Sequence, residues 1–139
     1  MREYLVELDS GTVRAVTPEG TAAFALSADG ARILATGADG AWALYPIAGG
    51  PPVPVPAMRA GDWPVRFARD DGTLYLFRRH ELPARIERLD VRAAAAGAPG
   101  REVWRDLVPA DPAGVIGVSE VAMSPDGKAF AYSLNRMLS

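Results

Sequence analysis

Apolar and polar residues alternate along three segments that share one pattern: a short apolar run, an Asp-Gly turn and a second alternating run. These segments are "AAFALSADGARILAT" at 22–36, "PVRFARDDGTLYLFR" at 64–78 and "EVAMSPDGKAFAYS" at 120–133. Asp-Gly between alternating runs favours a β-hairpin, because glycine readily adopts positive φ and the Asp side chain can bond the turn backbone. The pattern predicts three copies of one hairpin.

Two further strands are predicted after each of the first two hairpins. They are "AWALYPI" at 41–47 and "PPVPVPAM" at 51–58 in the first repeat, and "ARIERLDV" at 84–91 and "REVWRDLV" at 101–108 in the second. The proline-rich stretch fits an outermost strand, because one side of an edge strand has no partner. A polyproline peptide ligand is the alternative interpretation. Both repeats therefore predict four strands in a row.

The third hairpin has no such continuation, but the first twenty residues offer two strands, "EYLVELDSG" at 3–11 and "TVRAVTPEG" at 12–20. The turn glycines Gly30 and Gly72 are 42 residues apart, and a count from Gly127 through the two termini to Gly30 also gives 42. From Gly72 to Gly127 the distance is 55, with the excess in two long connections. A period of roughly 40 to 45 residues with four strands is typical of a β-propeller blade.

We therefore expect an all-β fold in which residues 1–139 form one half-propeller domain of about three four-stranded antiparallel blades. Its parts are the outer strands of a split blade at 1–20, a blade at 21–58, a blade at 62–108 and the inner strands of the split blade at 118–139. Propellers have about 4 to 8 blades, so three do not close a ring.

Closure by a second copy is the predicted solution. The C-terminal hairpin of one copy would be completed by the N-terminal strands of the other, twice, giving a six-bladed ring in a homodimer. Two alternatives remain: a longer chain that closes on itself, and a β-sandwich of about twelve strands.

Composition narrows the class of protein. With 14 Gly and 12 Pro among 139 residues, long helices are repeatedly interrupted. The net charge of -2 and the pI near 5.4 argue against a nucleic-acid partner, which normally needs a concentrated basic face. Cysteine is absent, so the compartment cannot be inferred from thiols. No signal-peptide core or membrane-spanning run is present, so we expect a soluble chain without membrane insertion.

The turn "SPDGKAFAYS", with looser copies "SADGARILAT" and "RDDGTLYLF", resembles the WD-repeat-like blades of TolB-type propellers. The segment at 102–139 is similar to the C-terminal propeller that follows the kinase domain in some bacterial eukaryotic-like serine/threonine kinases. This resemblance implies a noncatalytic binding, sensing or scaffold module that meets a protein or small molecule. It also implies an extracytoplasmic location if the parent is a receptor-type kinase. The chain has no Gly-rich loop before a strand lysine, no His-Arg-Asp loop and no Asp-Phe-Gly, so no kinase activity is expected.

Candidate binding residues fall on loops that a propeller would gather at one rim. They are Arg59, Asp62, Trp63, Arg79, His80, Glu81, Asn135 and Arg136. Aromatic residues and arginines dominate recognition sites, which favours Trp63 as a ligand anchor and the cluster at 78–81 as an anion-binding surface. A solvated loop histidine is the alternative for His80, and Trp104 is expected to pack between blades.

No cofactor, metal or catalytic residue is predicted. His80 has no second histidine or cysteine with which to hold zinc. The acids Asp29, Asp70, Asp71 and Asp126 fit hairpin turns better than calcium loops, because calcium needs six to eight oxygen ligands. Nothing arranges a nucleophile beside an oriented base. An enzyme with an active site on the rim, and a purely structural propeller fragment, remain the alternatives.

Overall fold

The computed structural model of the protein describes residues 1–70, 72–95 and 100–138, with the backbone alone at 94 and 95. Asp71, residues 96–99 and Ser139, which belong to the predictions above, lie outside this range. The strands are β1 (Tyr4–Val6), β2 (Val13–Ala15), β3 (Ala22–Leu26), β4 (Arg32–Thr36), β5 (Trp42–Pro46), β6 (Val53–Pro54), β7 (Asp62–Phe67), β8 (Thr73–Arg78), β9 (Ala84–Asp90), β10 (Arg101–Leu107), β11 (Val115–Met123) and β12 (Phe130–Arg136), with one helix, α1 (Val91–Ala95), between β9 and β10.

In the described part of the chain the strands form four sheets, and within each sheet consecutive strands pair in antiparallel fashion. The first sheet has the order β3-β4-β5-β6, and the second sheet has the order β10-β9-β8-β7. The N-terminal hairpin (β1 with β2) and the C-terminal hairpin (β11 with β12) form two-stranded sheets. The prediction of an all-β chain with four-stranded antiparallel sheets is confirmed.

Two local features differ from the predicted pattern. The strand expected at 51–58 is reduced to Val53–Pro54, because four of those eight residues are prolines without a backbone N–H to donate. The connection after β9 begins with a five-residue helix, α1. Asp90 caps this helix, since its Oδ1 accepts hydrogen bonds from the backbone N–H groups of Arg92 and Ala93 at 3.0 Å each.

In the first and third hairpins the Asp-Gly turn is held by the acid that directly precedes the glycine. Ser27 Oγ donates to Asp29 Oδ1 at 2.6 Å, and the Ala31 N–H donates to the same oxygen at 2.9 Å. These bonds lower the pKa of the Asp29 carboxyl. In the third hairpin Ser124 Oγ donates to Asp126 Oδ1 at 2.6 Å, and this bond is the main cause of the lowered pKa of Asp126. Turn geometry accounts for both acids.

Two apolar layers join successive sheets. The layer between the first and second sheets consists of Leu34, Leu44, Val55 and Met58 against Phe67, Leu74, Leu76, Leu89 and Val91. The layer between the second sheet and the C-terminal hairpin consists of Phe77, Ala84 and Ile86 against Val118, with Trp104, Val121 and Phe130 at its margin. Burial of this kind contributes about 25 cal/mol per Å² of apolar surface.

The first strands of successive sheets lie beside one another, since β3 contacts β7 and β7 contacts β11. Trp104 of β10 contacts Tyr75 in its own sheet, with ring centroids 4.8 Å apart. It also contacts Phe130 of the next sheet at 5.8 Å, so it packs between sheets as its alternation predicts. The sheets therefore stand face to face, with β3, β7 and β11 together on one side.

The two hairpins keep apolar side chains in solvent. In the N-terminal hairpin Tyr4, Val6 and Val13 are 59%, 50% and 58% exposed, and in the C-terminal hairpin Ile116 and Tyr132 are 57% and 40% exposed. The core leucines of the first and second sheets, by contrast, are buried. No helix in the described part of the chain has the length and apolarity to cross a membrane.

Candidate functional site

A cavity of about 420 Å³ opens at the rim where the first and second sheets meet. We call it the rim cavity, and its lining residues are Phe24, Thr36, Gly40, Trp42, Ala60, Gly61, Asp62, Trp63, Arg79 and His80. They come from the middle of β3, from the β4–β5 turn, the β6–β7 link and the β8–β9 connection, and from the strand ends beside these loops. The sheet-to-sheet link and the second-to-third-strand connection therefore meet at one place, where a propeller would have its rim.

Three aromatic rings form the apolar wall of the rim cavity. The ring of Phe24 lies between two tryptophans, with centroid distances of 4.8 Å to Trp42 and 5.2 Å to Trp63. The contact with Trp63 is edge to face, with an interplanar angle of 88°. Such pairs contribute about 0.5 to 1.5 kcal/mol beyond area burial, so the rings fix one another's orientation.

A buried carboxylate anchors the β6–β7 link beneath these rings. Asp62, whose side chain is fully buried, accepts from Arg101 Nη1 at 2.7 Å and from Nη2 at 2.8 Å. The Arg59 N–H donates to Asp62 Oδ2 at 2.7 Å. Arg101 also pairs with Glu87. The hydrogen bond to Asp62 is the main cause that raises the pKa of Arg101, so the guanidinium stays charged despite its burial.

The β8–β9 connection is docked onto β11. The His80 N–H donates to the Val118 carbonyl at 2.8 Å, and the Val118 N–H donates to the Glu81 carbonyl at 3.4 Å. His80 has φ of 65°, in the left-handed region that non-glycine residues seldom adopt. Gly117 allows this docking, because a Cβ there would lie 2.6 to 2.7 Å from His80 backbone atoms.

Arg79 bridges the rim cavity and the C-terminal hairpin. Its guanidinium carbon lies 4.4 Å from the ring centroid of Trp63. Its Nε donates to the Ser119 carbonyl at 2.8 Å, and Nη2 contacts Glu120 Oε1 at 3.0 Å. Within the described residues Nη1 has no hydrogen-bond partner. The Arg79 side chain is thus held in place, and its Nη1 is a donor that no described residue uses.

The structure brings together four of the eight predicted binding residues. Asp62, Trp63, Arg79 and His80 line the rim cavity. Arg59 lines a neighbouring cavity of about 360 Å³ instead, and its main chain supports Asp62.

The other three predicted residues are not among the described residues that line the rim cavity. Glu81 Oε1 accepts from Arg78 Nε at 3.2 Å. Asn135 pairs in register with Gly117 of β11, which places it one strand away from the His80 loop. Arg136 contacts Asp111 Oδ2 at 3.2 Å.

Sequence reasoning missed Phe24, Trp42 and Arg101. Trp42 follows the β4–β5 turn, the position in its repeat that corresponds to the His80 connection, so alignment of the two repeats could have found it. Phe24 looks like any apolar strand residue, and no local signal pairs Arg101 with Asp62 across 39 residues.

Replacing Gly117 by alanine is expected to destabilise the protein by about 2 kcal/mol, because overpacking against backbone typically costs 1 to 3 kcal/mol. The new Cβ would push the His80 loop away from β11 and expose the Val118 amide. Urea unfolding measures the loss, and hydrogen exchange at Val118 locates it.

Gly72→Ala is the matched control, because a Cβ at Gly72 would have its nearest neighbour, Asp70 Oδ1, at an ordinary 3.7 Å. Its effect should stay within about 0.5 kcal/mol. Equal losses in the two variants would contradict the docking role assigned to Gly117.

Neither the comparison with protein-family models nor the search of curated proteins finds a match for the chain. Within residues 1–70, 72–95 and 100–138 no group of three or more His, Cys, Asp or Glu side chains is placed to hold a metal ion.

Proposed function

We propose that the chain is half of a six-bladed β-propeller that closes as a homodimer and serves as a noncatalytic binding module. The observation that carries this proposal is that the same order of strands repeats in successive sheets, with the first strand of each sheet on a common side. Two successive four-stranded sheets stack face to face, and the first strands β3, β7 and β11 lie next to one another. Sheets arranged in this way are the elements of a propeller.

The number of strands per sheet supports completion of the C-terminal sheet by a second copy. The C-terminal hairpin supplies the first two strands of a sheet, since β11 contacts β7 in line with β3. The N-terminal hairpin supplies two more, and in the sheet order of the other repeats β1 would follow β12. A sheet β11-β12-β1-β2 built from two copies has four strands, as the other two sheets do. It also pairs the edge of β12 with the edge of β1, and no described strand pairs with either edge in the single chain.

An apolar face of the first sheet that is uncovered in the single chain also supports a second copy as the partner. A shallow hollow of about 320 Å³ on the first sheet is lined by Ala23, Phe24, Ala25, Leu26 and Ile33, and Leu26 is 57% exposed. In the proposed ring this face meets the C-terminal hairpin of the other copy, which carries the exposed Ile116 and Tyr132. Apolar patches of this kind mark interaction surfaces.

The binding role rests on the rim cavity, since concave, mostly apolar sites with a few polar groups are the usual places for ligands. His80, the sole histidine, lines this cavity. Binding without chemistry is the function that this arrangement supports best.

Light scattering at micromolar concentration tests the assembly. We expect twice the chain mass of 14.7 kDa, with a β-rich circular dichroism spectrum. A well-folded particle with the mass of one chain would contradict the proposed dimer.

A further inference from the structure

We infer that the rim cavity binds a small molecule that carries a flat apolar ring and a carboxylate group. This inference deepens the proposed binding role and rests on it. All the described lining residues belong to one copy, so a single chain supplies the lining; Phe24 also lines the neighbouring hollow that the second copy would cover. Its volume of about 420 Å³ falls within the range of small-molecule pockets, roughly 300 to 1,000 Å³.

The aromatic wall selects for a flat apolar group. Phe24, Trp42 and Trp63 hold one another in fixed tilted and edge-to-face contacts, and all three line the opening. Rings that are already oriented lose little entropy when a ligand ring packs on them. Because this wall is built mostly of carbon, the greater part of a suitable ligand must be apolar.

Charge around the rim cavity selects for a carboxylate over an amine. Among the described lining residues Asp62 is the sole acid, and both of its oxygens already accept from Arg101. It therefore offers little to a cationic ligand. Arg79 lies over the Trp63 ring, with its Nη1 unpaired among the described residues. Guanidinium groups bind carboxylates through short, charge-assisted hydrogen bonds.

Glu120 competes with such a ligand for Arg79. Its Oε1 lies 3.0 Å from Arg79 Nη2, and its side chain is 55% exposed. A ligand carboxylate at Nη1 would stand near this second negative charge. Removal of the charge of Glu120 should therefore strengthen binding, whereas removal of the charge of Arg79 should weaken it. These opposite effects distinguish a carboxylate site from a merely hydrophobic hollow.

Isothermal titration calorimetry with 2-naphthoate, and with 2-naphthamide as its neutral match, tests the inference on the full chain. We expect saturable binding of the carboxylate that is at least about tenfold tighter than that of the amide, a change equal to about 1.4 kcal/mol. Arg79→Gln should remove this preference and leave amide binding within about twofold. Glu120→Gln should tighten carboxylate binding severalfold.

Arg85→Gln is the control, because Arg85 is a half-exposed arginine paired with Asp106 on another part of the second sheet. It should leave both affinities unchanged. Absence of saturable binding, equal affinity for the two probes, or a preference that survives Arg79→Gln would each overturn the inference. The dimer mass is measured separately, so a chain that dimerises without binding naphthoate refutes the ligand class alone.

Discussion

Replacing Asp62 by asparagine is expected to lower the free energy of unfolding by about 3 kcal/mol, since breaking a buried ion pair costs about 3 to 5 kcal/mol. The side chain of Asp62 is fully buried, and that of Arg101 is 8% exposed. An amide in place of the carboxylate would leave the Arg101 guanidinium with Glu87 as its one ionic partner among the described residues and would turn N–H groups towards other N–H groups. The midpoint of urea unfolding, at fixed protein concentration and with an unchanged slope, measures the loss.

Asp106→Asn is the matched control for Asp62→Asn. Asp106 Oδ1 lies 3.2 Å from Arg85 Nε, and both side chains are about half exposed. Exposed pairs contribute about 0 to 1 kcal/mol, so the control should change stability little. If the two variants lose the same stability, the Asp62–Arg101 pair does not anchor the β6–β7 link as described.

Replacing Val6 by glutamate is expected to weaken self-association about a hundredfold or more, equal to about 2.7 kcal/mol. Val6 lies on β1 and is 50% exposed in the single chain. In the proposed ring β1 becomes the third strand of a completed sheet, and a neighbouring sheet covers each face of that sheet. A carboxylate would then be buried without a partner, and the two-fold axis repeats this cost at both joints. Sedimentation velocity over a concentration series measures the dissociation constant.

Val53→Glu introduces the same charge on the outer strand β6, where the valine is 42% exposed. We expect the dimer to persist in this control. Similar dissociation of both variants would indicate that the glutamate acts through general destabilisation and not through the joint between β12 and β1.

Much of the fold could be predicted from the sequence because its signals are local. Asp-Gly turns and alternating runs located β3, β4, β7 and β8 to within two residues, since an acid in each turn, Asp29 or Asp70, accepts a hydrogen bond from the backbone beside it. The short β6 and the helix α1 were harder to foresee. The length of β6 depends on how many backbone N–H donors the prolines remove. The formation of α1 depends on the cap that Asp90 provides.

About half of the candidate site could be predicted from the sequence, because only some of its residues carry a local signal. Trp63, Arg79 and His80 attract attention by residue type and loop position. Phe24 and Arg101 belong to the site through contacts between different sheets, and such contacts carry no local signature. Gly117 is the clearest case, because its role is the space that it leaves for the backbone of His80.

A crystal structure of the unmodified chain would show whether two copies close one six-bladed ring. We expect two copies about a two-fold axis, six four-stranded sheets around one channel, and β12 of each copy paired antiparallel with β1 of the other. Well-ordered copies in which the edges of β1 and β12 stay unpaired, or in which the sheets do not surround a common channel, would contradict this expectation.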